Sequence, residues 1–273
     1  MKKETIYRRL ARAFMPSAAV CVIMAINACS DVDENERFEY VKPAEVSRAV
    51  LIEDFTGQQC ANCPTASEEI DMLQELYGDT AVIAVGIHSG PLGFSGNSRY
   101  TGLKTTLGDT YYYYWGVEYQ PQGMVNRQGL SDYVEWASLV YNALQETAPL
   151  DMELTSTYDE ATRDVGIDVS LYGTDGNTSG YLQLWLVEDN ITAIQILPDG
   201  SYDYEYVHNH VLREAVNGDW GEAVSVTEGE TLTLDGSVTL DDDYVAENVC
   251  IVAFVYNDDG VQQVVKASVT DNE

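Results

Sequence analysis

Two cysteines separated by two residues, Cys60 and Cys63, stand where a strand-like segment gives way to a helix-like one. Residues 49–56 run from apolar to acidic and aromatic, a pattern that predicts a strand. Apolar residues then recur at intervals of three and four from Pro64 to Tyr77, which predicts a helix that tolerates the proline in its first turn. The chain must therefore place both cysteines in a short strand-to-helix connection.

This position gives the cysteine pair a chemical use. The unpaired N–H groups and partial positive charge at a helix N-terminus favour a thiolate over a thiol. We expect Cys60 to be the exposed nucleophile, and Cys63 to attack a mixed disulfide and release the product. Zinc sites also use this motif, but they need two further ligands nearby. The chain has three histidines and no second such motif, so zinc is less favoured, and we expect no metal or other cofactor.

The first 28 residues have the pattern of an export signal: basic residues, then an uncharged stretch, then small residues. Cys29 follows directly, which resembles a lipobox and implies that Cys29 is lipidated once residues 1–28 are removed. A transmembrane anchor and a soluble secreted protein are the alternatives. The uncharged stretch contains Pro16 and is short for a span of about 20 apolar residues, which disfavours the anchor.

The residues after the signal are polar and acidic. Residues 29–47 are predicted to form a tether, and Cys29–Glu34 resembles the acidic tag behind the lipidated cysteine of surface-exposed Bacteroidetes lipoproteins. The whole chain has 45 Asp and Glu against 14 Lys and Arg. Such a surface repels phosphate backbones, which argues against nucleic acid as a partner. An acidic surface also repels anionic lipid, so the predicted contact with the membrane is the lipid anchor alone.

The sequence before and after residue 148 predicts different kinds of secondary structure. In residues 48–148, an apolar run at Ala81–Ile87 predicts a strand covered on both faces, and helices are predicted near Leu103–Trp115 and Ser131–Gln145. This alternation predicts an α/β layer. Residues 149–273 contain six strand-like segments, most of them alternating in polarity and several separated by Gly, Asn and Asp. They predict an all-β immunoglobulin-like sandwich.

The predicted first strand and the cysteines carry a family resemblance. Val50-Leu51-Ile52-Glu53-Asp54-Phe55, followed by Cys60 and Cys63, looks like thioredoxin. The resemblance implies an α/β thioredoxin-like domain in which Asp54 is a buried carboxylate that accepts a proton from Cys63. It also implies that Pro121 is a cis-proline facing the disulfide, and that Pro121 and Gln120 dock the substrate backbone.

Three features depart from the thioredoxin pattern. Gln59 stands where that family has tryptophan, Ala61-Asn62 replaces Gly-Pro between the cysteines, and residues 89–116 look like an insertion. These departures leave the redox potential and the partner open.

A closer resemblance covers almost the whole chain after the signal. It rests on Glu53-Asp54-Phe55-Thr56-Gly57 with Cys60-Ala61-Asn62-Cys63-Pro64, on Tyr206-Val207-His208-Asn209-His210-Val211-Leu212-Arg213, and on Trp220-Gly221-Glu222. These segments are similar to the twenty-eight-kilodalton outer-membrane protein family of Bacteroidetes. The resemblance implies a lipid-anchored outer-membrane protein, at the cell surface or the periplasmic face, with a thioredoxin-like domain and a β-sandwich. It implies no substrate.

The aromatic run Tyr111–Trp115 has two interpretations. Consecutive helical residues point about 100° apart, so the five rings cannot all be buried on one face. Trp115 is therefore a candidate substrate-binding residue in a groove beside Pro121, and core packing is an equal alternative.

The histidines and the last cysteine are assigned mainly structural roles. His208 and His210 form either a metal or haem ligand pair or a hydrogen-bonding corner. The corner is favoured because no carboxylate or cysteine motif is spaced to complete a metal site. His88 is predicted to be a hydrogen-bonded structural histidine, and Cys250 a small buried core residue.

Two functions of different classes remain. The first is a membrane-tethered thiol–disulfide oxidoreductase that acts on protein thiols or disulfides. The second is a surface binding or adhesion lipoprotein in which Cys60–Cys63 is an inert structural disulfide. A fold alone cannot decide between them. The joint presence of Asp54, both cysteines and Pro121 favours the first, since a structural disulfide needs neither a proton acceptor nor a cis-proline.

Overall fold

The computed structural model describes residues 46–270, so the predicted signal, Cys29 and almost all of the predicted tether lie outside the described residues. Of the described residues, 47% lie in strands and 17% in helices. Their three α-helices are α1 (Cys63–Tyr77), α2 (Thr106–Trp115) and α3 (Trp136–Ala143). The strands are β1 (Val46–Ser47), β2 (Val50–Thr56), β3 (Val82–His88), β4 (Gln122–Val125), β5 (Leu130–Ser131), β6 (Thr147–Ala148), β7 (Leu150–Asp159), β8 (Asp164–Gly173), β9 (Thr178–Glu188), β10 (Ile191–Ile196), β11 (Tyr202–His208), β12 (Val211–Ala215), β13 (Glu222–Val226), β14 (Thr231–Thr239), β15 (Val249–Asn257) and β16 (Gly260–Ser268).

One nine-stranded sheet joins the two halves of the chain. Its order is β16-β15-β9-β12-β3-β2-β4-β5, and β13 also pairs with β9. The neighbours β2 and β3 are parallel, whereas β4 is antiparallel to β2. On its other side β3 pairs with β12, where Val211 lies opposite Gly86. Strands from before and after residue 148 therefore share backbone hydrogen bonds within one sheet.

The predicted fold class, an α/β thioredoxin-like domain followed by an all-β immunoglobulin-like sandwich, is wrong. The protein is mostly β, with several sheets and only three short helices among the described residues. The apolar run of β3 correctly indicates a central strand, but a central strand needs a neighbour on each side. The second neighbour, β12, comes from the half that was assigned to a separate sandwich. Whether residues 48–148 and 149–273 can fold independently stays a prediction.

Helices cover both faces of the sheet around β2 and β3. Even-numbered residues of β2 face α1 and α3, and odd-numbered residues face α2, as the two-residue period of a strand requires. The α1 and α3 face buries Val50, Ile52, Ala66, Ile70, Leu73, Val82, Ala84, Trp136 and Val140. The α2 face buries Leu51, Phe55, Ile83, Val85, Ile87, Tyr111, Tyr112 and Met124.

Three smaller sheets complete the described part of the fold. The three-stranded sheet β14-β8-β7 shares a core with β9, β13 and β15. The other two, β1-β6 and β10-β11, each contain two strands. No helix within residues 46–270 is both long and apolar enough to cross a membrane.

A buried ion pair links β2 to Arg127, which follows β4 and packs against rings of β15. Arg127 donates from Nε and Nη2 to the Glu53 carboxylate, with an Nη2–Oε1 distance of 3.0 Å. Its guanidinium lies 4.2 Å from the ring centre of Tyr256 and 4.8 Å from that of Phe254. Both charged side chains are almost fully buried. Each charge therefore depends on the other for its stability in the core.

Candidate functional site

The two cysteines lie where the sequence predicts them, in the connection from β2 to α1. Cys63 is the first residue of α1, and a disulfide joins it to Cys60, with the Cα atoms 5.4 Å apart. The connection is a tight turn in which the Cys60 N–H donates to the Gly57 carbonyl over 3.0 Å. A Cβ at position 57 would overlap the carbonyl of Leu92, so this close approach requires glycine.

The disulfide is covered, contrary to the expectation of an exposed Cys60. Cys60 is 1% exposed and Cys63 is 2% exposed. The loop after β3 lies against the turn, because the Gln59 N–H donates to the Leu92 carbonyl over 2.9 Å. The β10–β11 hairpin also lies against it, because Gln195 Nε2 donates to the Cys60 carbonyl over 2.9 Å. The local pattern of the motif gave no indication of either cover.

Asp54 occupies β2 with a glycine opposite it on each neighbouring strand. Its register partners are Gly86 of β3 and Gly123 of β4, so no directly opposed side chain flanks it. The residue is 2% exposed, and Oδ1 has no hydrogen-bond partner among the described residues. Burial raises the pKa of the carboxyl to about 7. Asp54 can therefore take up or release a proton near neutral pH.

Asp54 and Cys63 line the same small cavity, with a volume of about 60 Å³. All three histidines of the chain line it as well. The rings of His88 and His208 meet edge to face with their centres 5.2 Å apart. Burial lowers the pKa of His208 to about 4 and the pKa of His88 well below its usual value, so both are neutral at pH 7. The cavity is polar and large enough to hold water.

His88 differs from the hydrogen-bonded structural histidine that the sequence predicts. Its Nδ1 is buried without a hydrogen-bond partner among the described residues, as is Nε2 of His208. Both unpaired nitrogens belong to rings that line the cavity.

His210 forms the hydrogen-bonding corner favoured by the sequence. Its Nδ1 lies 3.1 Å from Oδ1 of Asp189, and its Nε2 lies 3.1 Å from Oε1 of Gln74. His208 and His210 therefore have different partners. Within residues 46–270, no three His, Cys, Asp or Glu side chains are arranged to hold a metal ion.

The Gln120–Pro121 peptide bond is cis, as the resemblance implied. It precedes β4, and the Gln120 amide lies at the end of β2. Its Nε2 donates to the carbonyl of Thr56 over 2.6 Å and to that of Ser89 over 3.0 Å. Gln120 and Pro121 are both buried, so their role in substrate binding stays a prediction.

Trp115 and Cys250 lie in a different part of the molecule. Trp115 packs against the core on the α2 face, and the guanidinium of Arg127 lies 5.6 Å from its ring centre. The disulfide cavity opens on the other face of β2, so the structure does not bring Trp115 to it, and its binding role stays a prediction. Cys250 is half-buried in β15, and burial raises the pKa of its thiol to about 12.

Solved structures resemble this fold at low sequence identity. HBP35 of Porphyromonas gingivalis aligns with a TM-score of 0.66 and 18% identity, covering 84% of this chain and 78% of that one. A protein from Agrobacterium tumefaciens aligns with a TM-score of 0.54 and 15% identity, covering 84% of this chain and 98% of that one. At these identities the similarity concerns the fold alone.

Among the solved structures is also a domain of the outer membrane lipoprotein Omp28 from Porphyromonas gingivalis, 27% identical, covering 45% of this chain and 89% of that one, with a TM-score of 0.33. The family is identified from the sequence, independently of these structures. No curated protein matches the chain. The family model described as Outer membrane protein Omp28 matches residues 108–273, more than half of the chain, although the cysteine motif precedes the matched residues. The chain therefore belongs to the Omp28 outer-membrane protein family.

Proposed function

We propose that the Cys60–Cys63 pair carries out thiol–disulfide exchange with protein partners. The observation that carries the proposal is the shared cavity of Asp54 and Cys63, which is lined both by a buried carboxyl with a raised pKa and by the cysteine proposed to resolve the mixed disulfide. An uncompensated buried carboxyl is costly to a fold. A disulfide that serves only as a staple has no use for one, whereas a resolving thiol needs a proton acceptor.

The exchange step conserves atoms and electrons. In the reduced protein Cys60 attacks a partner disulfide, so that a mixed disulfide forms and one partner sulfur leaves as a thiolate. The Cys63 thiol then gives its proton to Asp54, and its thiolate attacks the Cys60 sulfur. The Cys60–Cys63 bond forms, the bond to the partner breaks, and the second partner sulfur leaves as a thiolate. The two electrons that reduce the partner come from the cysteine pair, and the two partner thiolates take up two protons from solvent, which balance the proton that Cys60 lost and the one that Asp54 passes on. Run in reverse, the same step oxidises a partner dithiol.

Trapping of mixed disulfides tests the proposal. In a background that lacks Cys250, we expect Cys63→Ser to retain partner proteins through Cys60, because no resolving thiol remains. Cys60→Ser is the matched control and should trap none. Asp54→Asn should slow the release of the partner by removing the proton acceptor. Failure of reduced Cys63→Ser to trap any partner from cell envelopes would reject the exchange function.

A second function is favoured by the burial of both cysteines. Buried cysteines are usually inert, which is what a surface binding or adhesion lipoprotein with a structural disulfide requires. If the disulfide is structural, reduction and alkylation of Cys60 and Cys63 should lower the melting temperature, and Cys63→Ser should trap no partners. The reduction potential of the pair separates the two functions, since structural disulfides of exported proteins lie below about −300 mV.

Family membership supports an outer-membrane location. We propose that the attachment is a lipid on Cys29 and that the acidic tether carries the folded part to the cell surface or the periplasmic face. Cys29→Ser should abolish labelling by a radioactive fatty acid and release the protein from membranes. Protease treatment of intact cells distinguishes the two faces. Retention of the unlabelled variant in membranes would show that another attachment is used.

A further inference from the structure

The β10–β11 hairpin, which covers the disulfide, is separate from the main sheet. Among the strands of residues 46–270, β10 and β11 pair only with each other, outside the nine-stranded sheet. They form an excursion between β9 and β12, which are themselves neighbours in that sheet. Two-stranded hairpins are marginally stable alone, so this hairpin depends on what it rests against.

The hairpin joins the sheet through a narrow neck with two residues in left-handed conformation. Asn190 leads into the hairpin with φ of 58°, and His210 leads out of it with φ of 59°. Asn190 N–H donates to Oδ1 of Asn209 over 3.0 Å, and His210 N–H donates to Oδ1 of Asp189 over 2.6 Å. Hinges are commonly a few residues at the ends of elements that absorb a change in φ and ψ.

The inner strand of the hairpin meets the cysteine turn as an extended peptide would. The Ile196 N–H donates to the Gln58 carbonyl over 2.9 Å, and Gln58 Nε2 donates to the Ile194 carbonyl over 3.0 Å. Between these two residues, Gln195 Nε2 donates to the Cys60 carbonyl. The pairing of β10 with β11 shifts register between Ala193 and Gln195. The extra residue lies in β11, and the Ile194 carbonyl and Ile196 N–H of β10 are bonded to Gln58 in the turn.

The rings of Tyr206 and His208 line the disulfide cavity, where His208 meets His88. Apart from these two rings, the hairpin has few side-chain contacts with the rest of the protein. The small apolar cluster at its base contains Leu103, Ala193 and Val211, with Ile191 packed against it. The ring of Tyr204 stacks on that of Tyr100 with the centres 5.5 Å apart. Side chains along its outer face, including Tyr202 and Val207, are exposed. Regions with few buried contacts open at low cost.

We propose that β10 occupies the docking site of an extended polypeptide partner, and that the hairpin swings on its Asn190 and His210 neck to admit that partner to Cys60. The proposal rests on the exchange function and specifies its substrate class, a cysteine-bearing segment in extended conformation. The partner strand would take over the Gln58 carbonyl and the Cys60 carbonyl as hydrogen-bond acceptors. With the hairpin closed, the disulfide is screened from small thiols and from folded surfaces.

The first test removes the hairpin. Because Ile191 and His208 are register partners, residues 191–208 can be replaced by a two-glycine link between Asn190 and Asn209. We expect the Cys60–Cys63 disulfide of this variant to be reduced by dithiothreitol about tenfold faster or more than that of the full chain. If the variant keeps its far-ultraviolet circular dichroism and the rate of disulfide reduction is unchanged, the hairpin does not act as a lid.

A point substitution tests the same opening in the intact chain. Gln195→Ala should raise the reduction rate about fivefold, the factor expected from losing one ordinary hydrogen bond. The matched control is Gln145→Ala, whose amide donates to the Tyr141 carbonyl on an exposed part of α3 and which should leave the rate unchanged. Equal rates for both variants would count against the closed hairpin as the barrier.

A peptide tests the docking site itself. A synthetic copy of residues 191–197 should protect the disulfide of the hairpin-deleted protein from dithiothreitol, and a scrambled peptide should not. Equal effects of the two peptides would overturn the docking site. These readouts do not depend on a physiological partner. If the hairpin-deleted variant is reduced faster but Cys63→Ser traps no partner, the exchange function is rejected and the hairpin remains a lid. If Cys63→Ser traps partners but deletion of the hairpin leaves the reduction rate unchanged, the lid is rejected and the exchange function remains.

Discussion

Replacing Asp54 with asparagine should stabilise the oxidised protein at neutral pH. The carboxyl has a pKa of about 7 in the folded protein, against about 3.9 in an unfolded chain. Between these pH values the folded state holds a proton that the unfolded state has released, so the free energy of unfolding falls as pH rises. At about 1.4 kcal/mol per pKa unit, the difference costs roughly 4 kcal/mol at pH 7 and above. Asparagine has a similar shape and no charge to bury.

Urea unfolding of the oxidised protein between pH 4 and pH 8 measures this effect. The curves for Asp54→Asn and the unchanged protein should give similar free energies near pH 4 and diverge to a gain of roughly 4 kcal/mol for the variant at pH 7 to 8. Asp151→Asn, at an exposed position of β7, removes the same formal charge from this acidic chain and serves as the control. A difference that is constant with pH, or a loss of stability at pH 8, would refute the reasoning.

Two further substitutions and one thiol reagent test the surrounding structure. Glu53→Gln should destabilise the protein by about 3–5 kcal/mol in chemical denaturation, because it leaves the Arg127 charge buried without its partner. Gly57→Ala should cost about 1–3 kcal/mol, since the added methyl overlaps the Leu92 carbonyl; an unchanged melting temperature would contradict that contact. Cys250 should resist iodoacetamide at pH 8 in the native protein and react after unfolding, because burial raises its thiol pKa to about 12.

Short-range patterns predict most local elements of this chain. The predicted helix at residues 64–77 corresponds to α1, and the apolar run at 81–87 corresponds to β3. The predicted helix at 131–145 is shorter in the structure, because a capping box at Asp132 and Glu135 starts a separate 3₁₀ turn before α3. These outcomes depend on residues within a few positions of each other, which a single sequence displays directly.

The assembly of the elements depends on long-range pairing that no local pattern displays. β12 is short and partly polar, yet it places Val211 beside Gly86 in the centre of the sheet. The sequence predicts no strand in residues 191–208, so neither the β10–β11 hairpin nor its position on the cysteine turn was predicted. The motif itself predicted the disulfide position, and the resemblance pointed to Asp54. Gln58, Gln195 and the inward position of His208 emerge only from the folded chain.

The positions of the cysteines and of the β10–β11 hairpin in the sequence bear on the order in which the disulfide and its cover form. Gln195, which contacts the Cys60 carbonyl, comes 135 residues after it. Protein segments form in sequence during synthesis, the N-terminal part first, so the cysteine turn exists before the hairpin that covers it. Cysteines three residues apart need no distant segment to find each other. An oxidant outside the reducing cytoplasm can reach the pair until the hairpin closes, and completion of the sheet then covers a bond already made.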